Sequence, residues 1–527
     1  MRSITAEAAS LLAGLPRRLG HIVDAPARAQ PDHPALIAGD TVWTYGELAA
    51  ITAEAAAALR QLGVRPGDRL MVVSENGLAL AALVLASSAL DAWVVVGNPR
   101  LSAREIDLIR DHSGARRVLY AVDVSEPARQ HAARHGAAIT TLGRLGTLGI
   151  GPLNAAAVPE PVEADGARQA AALLYTSGTT GNPKGVMLTH RNILFNAAVT
   201  QVTRAPTPAD QIYGVLPMSH IVGFSIILAS SLMAGSTVHL VPRYDPAAFV
   251  AAVAAGTVTM LFGVPATYQR LLEHKSVAGL KALPRGRLRM LFVAGAPLDP
   301  ALKRQVEAAL GLPLLNGYGI TECAPGISGV RPDAPRQDES VGPIIPGIEV
   351  RLVGRDGSPV APGAVGELHV RGPNVMRGYY RAPEATAAAI DAEGWFNTGD
   401  LARLEGDALF IAGRTKELII RSGFNVYPAE VEAVLNAHPG VVQSAVVGRA
   451  RDGNEEVVAF VQLLPGACVT VSELMAHASG QLAAYKRPAE IIVLEALPAG
   501  ATGKILKHRL AEAAQEEAAR RGTRKSA

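Results

Sequence analysis

The sequence predicts an α/β fold: a large N-terminal domain of several subdomains on mostly parallel sheets, followed by a small α+β domain. Three observations carry that expectation. Ala-rich helical runs alternate with short β-branched runs from the start of the chain; Pro- and Gly-bounded segments of period two begin near Val341; and a new alternation of short strands and helices starts after Gly413. At 527 residues the chain exceeds one ordinary core, and about two to four domains are expected.

Taken in order, Thr44 of TYGELAA caps a helix over 44–62, and RLMVVS at 69–74 is a strand after the turn Pro66-Gly67-Asp68. Residues 78–90 are helical and 93–96 are extended, which completes a βαβ rhythm. It continues through RVLYAV, the apolar run 170–174, STVHLV, VTMLFGVP and LRMLFVAG. IEVRLV (348–353) and GELHVRG (366–372) are antiparallel strands of a small β-barrel-like part. From Lys416 onward, ELII, EVEAVLNAHP, QSAVVG, EEVVAFVQL and EIIVLEAL suffice for a small α+β domain. The segment 413–416 therefore divides a domain of residues 1–415 from one of 416–527.

Composition excludes several classes. Cys323 and Cys468 are the only cysteines, too few for a disulfide scaffold or a Cys-rich zinc site, and a reducing, cytoplasmic setting is expected. Fifty basic against 47 acidic residues give a formal charge of +3, so no nucleic-acid partner is expected. The apolar stretches 78–90 and 221–235 fall short of the roughly 20 residues that cross a bilayer, or are rich in Ser, Gly and Ala. Both are expected as buried helices, without integral membrane association. The N-terminus lacks a long apolar core and a clear cleavage site, so no secretory signal is expected. The tail 509–525 mixes Arg and Lys with Glu512, Glu516 and Glu517 and is expected to be a solvated, fraying helix.

YTSGTTGNPKG, residues 175–185, is costly to order because of Gly178, Gly181 and Gly185. A phosphate chain is a reason to order it. Backbone N–H groups surround the oxygens, the hydroxyls of Thr176, Ser177, Thr179 and Thr180 donate, and Lys184 supplies positive charge. Lys184 is followed by Gly185, so this is not a Walker A loop. On composition alone, an ordinary flexible turn stays open.

The longer string YTSGTTGNPKGVMLTHRN resembles the AMP-binding signature of the adenylate-forming enzymes, in their acyl-CoA synthetase branch. Further segments resemble the family in its order: LPMSHIVG (216–223), FVAGAPL (292–298), NGYGITE (316–322), GWFNTGDLARLEGD (394–407), GRTKELIIRSGFNVYPAEVE (413–432) and ATGK (501–504). The resemblance implies an N-terminal adenylation domain and a mobile C-terminal domain. It also implies an ATP-dependent ligase that makes acyl-AMP with release of pyrophosphate, then acyl-CoA with release of AMP, using ATP, Mg²⁺ and coenzyme A.

The same resemblance implies roles residue by residue. Thr176, Ser177, Gly178, Thr179, Thr180, Gly181 and Lys184 would hold phosphates, with Gly295, Ala296, Pro297, Asn316, Gly317 and Gly319 around the nucleotide. Tyr318 would stack on adenine, Thr321 would contact the α-phosphate, and Glu322 would bind Mg²⁺. Asp400 would take the ribose hydroxyls, with Arg414 beside it. Lys416 would be the hinge, Ser422 and Gly423 would belong to the thioester-forming loop 420–425, and Lys504 would meet the charge growing during adenylation. His220, Ile221 and Val222 would wall the acyl pocket, with no role for His220 as a general base because the attacking carboxylate is already ionised. Without the resemblance, Tyr318 reads equally as packing, Thr321-Glu322 as a turn, and Asp400 with Arg414 as a surface ion pair.

Plant coumarate ligases often carry lysine where Ile420 stands and glutamine where Asn425 stands, which argues against a simple transfer of their site. IVGFSII, FVAGAPL and ECAPGISGV bring apolar or small side chains and no evident cation. An acid with an uncharged tail is expected, a medium- or long-chain fatty acid ahead of an aryl acid, with a role in lipid metabolism. Gly295, Gly317, Gly319 and Gly326 would leave depth for the tail. Loading of a carrier protein, and a degenerate adenylate-binding regulatory protein, are the other readings. A homodimer is a general expectation for such enzymes.

Overall fold

The unbroken apolar runs of the N-terminal region need cover on both faces, and they find it as central strands of two eight-stranded sheets. A computed structural model describes residues 6–176, 184–354, 356–421, 424–451, 454–464, 466–500 and 505–525. These sheets belong to a compact unit of Met1–Ala294, Gln305–Val350 and Val370–Phe396. A second unit comprises Gly295–Arg304, Arg351–His369 and Asn397–Ala527.

In the first sheet the strands run in the order Gly378–Tyr379, Lys184–Thr189, Ala170–Thr176, Trp93–Gly97, Arg69–Val73, Arg117–Tyr120, Thr147–Ile150, Ala138–Thr141. Arg69–Val73 is buried at every position between two parallel neighbours, Trp93–Gly97 and Arg117–Tyr120. The other sheet runs Gly326–Gly329, Leu314–Gly319, Met290–Val293, Met260–Gly263, Gln211–Gly214, Thr237–Leu240, Pro34–Ala38, Thr41–Thr44. Its inner pairs are parallel, and both outermost pairs are antiparallel.

The expected capped helix is Tyr45–Gln61: Thr44 Oγ1 accepts from Glu47 N, and Glu47 returns a carboxylate to Thr44 N. Leu78–Ala89 is a buried helix. The second apolar stretch forms a nine-residue π-helical segment, Val222–Ser230, continued by Ser231–Met233; every residue from Gly223 to Ser230 is buried. Among the described residues no helix is long and apolar enough to cross a membrane.

The period-two segments join a four-stranded sheet in the order Glu349–Val353, Gly366–Arg371, Phe396–Glu405, Ala408–Arg414, most of whose residues fall in the second unit. Beyond it, the hairpin Ile419–Arg421 with Phe424–Val426 precedes the helix Pro428–Asn436. A three-stranded sheet follows, of Val441–Arg451, Asn454–Leu463 and Glu490–Leu494. Ile419, Val431, Leu435, Val446 and Val457 pack on one face of this sheet. Its other face is covered by the tail helix Lys507–Lys525, whose Leu510 and Ala514 meet Val447, Val458 and Phe460. The tail is therefore not a wholly solvated helix: its apolar positions four residues apart complete a core, a pairing visible only once the sheet exists.

Candidate active site

Strands Ala170–Thr176 and Lys184–Thr189 pair antiparallel with Thr176 opposite Lys184, so these two expected phosphate residues face each other where the connection 177–183 joins the two strands. Ser177, Gly178, Thr179, Thr180 and Gly181 lie outside the described residues. Lys184 is exposed at its backbone position, and its Nζ lies 4.8 Å from the centre of the Tyr379 ring.

Strand Gly378–Tyr379 lies beside Lys184–Thr189, with Tyr379 opposite Val186. Gly378 is required there: its φ is +148°, and a Cβ would stand 2.7 Å from Thr386 Cγ2. The Tyr379 hydroxyl donates to Glu322 Oε1 at 2.9 Å, and Met376 N donates to Glu322 O at 2.8 Å. One short segment thus brings Lys184 and Glu322 around Tyr379. Burial, then the Glu322 charge, raises the Tyr379 phenol above its ordinary range, so it stays a donor at neutral pH.

Asn316, Gly317, Tyr318 and Gly319 close the strand Leu314–Gly319, and Thr321 and Glu322 open the 3-10 turn Thr321–Cys323 that follows. Asn316 is buried and donates from Nδ2 to Ser340 O at 3.3 Å. Three of the four glycines read as pocket depth are close-packing positions. A Cβ at Gly317 would meet Phe292 Cζ at 2.3 Å, at Gly319 the Pro325 carbonyl oxygen at 2.3 Å, and at Gly326 the Asn196 Oδ1 at 2.7 Å. Gly295, left-handed at φ +88°, and Ala296 and Pro297 follow the end of strand Met290–Val293; Gly295 and Pro297 are exposed.

His220 is exposed, whereas Ile221 is buried and Val222 partly so. Asn76, a residue the motif reading missed, holds their approach. Its Nδ2 donates to Gly214 O at 2.9 Å and Leu216 O at 3.0 Å, and its Oδ1 accepts from Met218 N at 2.8 Å. Asn192 and Asn196, four apart on helix His190–Arg204, do the same elsewhere. Asn192 donates to Pro373 O and Val375 O, while Asn196 donates to Cys323 O and accepts from Gly326 N. The available signal was two asparagines on one face of an apolar helix, which a buried amide occupies only when its bonds are made.

In the second unit Asp400 and Arg414 stand opposite each other on neighbouring antiparallel strands, with Arg414 Nε 3.0 Å from Asp400 Oδ1. The carboxylate side chain is 4% exposed and the guanidinium 42%. Lys416 is exposed in the 3-10 turn Thr415–Glu417. Next to it, Glu417 and Glu432 clamp Lys507 Nζ at 3.1 and 2.8 Å. Burial opposes the charge of Lys507, but the two carboxylates outweigh it and raise its pKa. Ser422, Gly423 and Lys504 lie outside the described residues. The predicted residues thus form one group in each unit: Lys184 and Glu322 in the first, Asp400 and Arg414 in the second.

Among the described residues no three His, Cys, Asp or Glu side chains converge as a protein cage for a metal. A single hard carboxylate such as Glu322 suits Mg²⁺, which commonly takes one or two protein carboxylates and completes its shell with phosphates and water.

The chain is 37% identical over 487 residues to feruloyl-CoA synthase of Amycolatopsis sp, covering 91% of this chain and 96% of that protein. It is 34% identical to 4-coumarate--CoA ligase 2 of Oryza sativa subsp. japonica, over 92% and 90% of the two lengths. Its fold matches the o-succinylbenzoate CoA synthetase MenE of Bacillus subtilis in complex with the acyl-adenylate intermediate OSB-AMP. That match has a TM-score of 0.79 at 30% identity and covers 93% of this chain and 97% of that one. These relatives overturn the expectation of a fatty-acid substrate and of a place in lipid metabolism: their names specify feruloyl, coumarate and succinylbenzoate groups. The fatty-acid reading took the lack of evident cations for an aliphatic pocket, whereas an apolar lining accommodates an arene equally well. The AMP-binding enzyme description matches residues 23–380 and its C-terminal domain residues 430–504. With two large mixed sheets ahead of a small α+β domain, the chain therefore belongs to the AMP-binding enzymes, and it is an AMP-forming acid–thiol ligase that uses ATP, Mg²⁺ and coenzyme A.

Proposed function

We propose that this ligase activates an aryl carboxylic acid, of the arylpropenoic type, to its CoA thioester in a cytosolic setting. The observation that carries the reading is the alignment with feruloyl-CoA synthase along nine-tenths of the chain. The uncharged residues of the stretch 221–230 support it, since a flat, uncharged ring tolerates such a wall.

A carboxylate cannot expel oxide, so its oxygen must first be made a leaving group. Attack on the α-phosphate of ATP gives aryl-AMP and pyrophosphate; attack of the CoA thiolate on that mixed anhydride gives the thioester and AMP. Thr321 donates a hydroxyl to the α-phosphate, and Lys184 with the loop 176–181 holds the outer phosphates. Glu322 offers the hard oxygen ligand for Mg²⁺, which, when bound, withdraws charge from the phosphate oxygens. Asp400 accepts from the ribose diol and Arg414 fixes its carboxylate. Tyr318 stacks on adenine, and Lys504 meets the negative charge that grows during displacement. Residues 416–527 move as a body about Lys416 between the two half-reactions, which brings the loop 420–425 to the thioester step.

The test is a panel of ferulate, 4-coumarate, benzoate and fatty acids of several lengths, with aryl-AMP and thioester measured separately. Arylpropenoates are expected to give the highest kcat/KM in both readouts. A panel in which no aromatic acid forms an adenylate would overturn the reading.

A further inference from the structure

Lys184 and Glu322 carry opposite charge and meet the same phenol, one over its ring and the other at its hydroxyl. The ammonium lies 4.8 Å from the ring centre, and the carboxylate accepts from the hydroxyl at 2.9 Å. Among the described residues neither enters an ion pair. Opposite charges held at one side chain attract each other, so what each of them contacts decides whether they pair.

We propose that Tyr379 is a positioning residue that keeps these charges apart: its face seats the Lys184 ammonium and its hydroxyl aims the Glu322 carboxylate, which leaves both open to Mg²⁺ and ATP. The inference rests on the reading of Lys184 and Glu322 as nucleotide residues. The ring itself is fixed. It is 9% exposed, Tyr379 N donates to Thr386 Oγ1 at 2.9 Å, and Tyr380 N donates to Gly185 O at 2.8 Å, next to Lys184. Met376 N binds the main chain of Glu322 itself, so the segment 376–380 registers both charged residues against the phenol. A ring that only filled space would need neither the hydroxyl contact nor a cation on its face.

The experiment uses the full-length enzyme and variants Tyr379→Phe, Tyr379→Leu, Glu322→Gln and the double variant Tyr379→Leu/Glu322→Gln. ATP binding is titrated calorimetrically with and without Mg²⁺, and thioester formation from supplied aryl-AMP reports the half-reaction that needs neither. For Tyr379→Phe we expect about a tenfold rise in the Mg²⁺ concentration needed for tight ATP binding, with metal-free ATP affinity unchanged. In Tyr379→Leu, Lys184 closes on Glu322 and metal-free ATP affinity also falls about tenfold. The double variant regains that affinity, because the competing carboxylate is gone. Thioester formation from aryl-AMP stays within about twofold in Tyr379→Phe and Tyr379→Leu.

A Tyr379→Phe enzyme with the wild-type Mg²⁺ requirement, alongside a Glu322→Gln enzyme with a raised one, overturns the role of Tyr379 alone. So does a Tyr379→Leu affinity loss that the second substitution leaves unrepaired. Glu322→Gln with unchanged Mg²⁺ dependence overturns the nucleotide reading of Glu322 and the proposal with it.

Discussion

Asn76→Ala removes a single amide that organises the approach to the proposed acid pocket. Asn76 is 4% exposed. Its side chain donates to Gly214 O, Leu216 O and Val241 O at 2.9, 3.0 and 3.3 Å and accepts from Met218 N at 2.8 Å. Alanine leaves four main-chain groups without this partner. The two amide hydrogens are shared over three carbonyls, so at about 1 kcal/mol net for each hydrogen and for the acceptor bond, and more for any group that water does not reach, the loss sums to about 3 kcal/mol. The same segment leads directly into His220–Val222, so its displacement acts on the acid rather than on ATP.

Steady-state kinetics with the preferred aryl acid should show KM for the acid rising about tenfold or more, with KM for ATP within about twofold. Urea unfolding followed by tryptophan fluorescence should show a lower midpoint for the transition that involves the large unit. Asn76→Asp is a sharper probe. It keeps the acceptor for Met218 but sets a carboxylate against three carbonyl oxygens, and should be at least as damaging. Wild-type acid KM together with a wild-type midpoint in Asn76→Ala would exclude this role of Asn76, because a buried amide bonded to four main-chain groups cannot be removed without effect.

Three further outcomes are expected. Lys504→Ala should abolish most acid-dependent pyrophosphate exchange and spare thioester formation from supplied aryl-AMP; equal losses in both would contradict its role in adenylation. Asp400→Ala should raise KM for ATP by about tenfold and alter that for the acid much less, and an unchanged ATP KM would return the Asp400–Arg414 pair to a purely structural role. His190 is held neutral, its pKa lowered to about 3 by burial and then by the charges of Arg18 and His21, while its Nδ1 accepts from Leu19 N at 3.1 Å. Because the unfolded imidazole protonates near about 6.5, the unfolded chain binds the extra proton between those values. This contribution is complete above that range and is lost as pH falls toward 3. His190→Gln should therefore flatten the acid limb of a stability-against-pH profile, and an unaltered limb would exclude the mechanism.

The β-α alternation, the order of the motifs and the chemical type of each charged group are legible along the chain, because period and side-chain chemistry are local properties. RLMVVS reads as a strand and Thr44 as a helix cap, and both are so in the structure. Which groups touch depends on the folded chain. Asn76 meets partners 138 to 165 residues away, Asn196 reaches across 127 to 130, and Tyr379 finds Glu322 across 57. No local pattern encodes such pairings, since an asparagine or tyrosine has the same sequence appearance whether its polar atoms meet water or a distant main chain. The glycines make the same point from packing. Gly317 leaves room for the Phe292 ring of the neighbouring strand rather than for a longer acyl tail, and that distinction depends on what occupies the space beside a backbone, which only the assembled sheet defines.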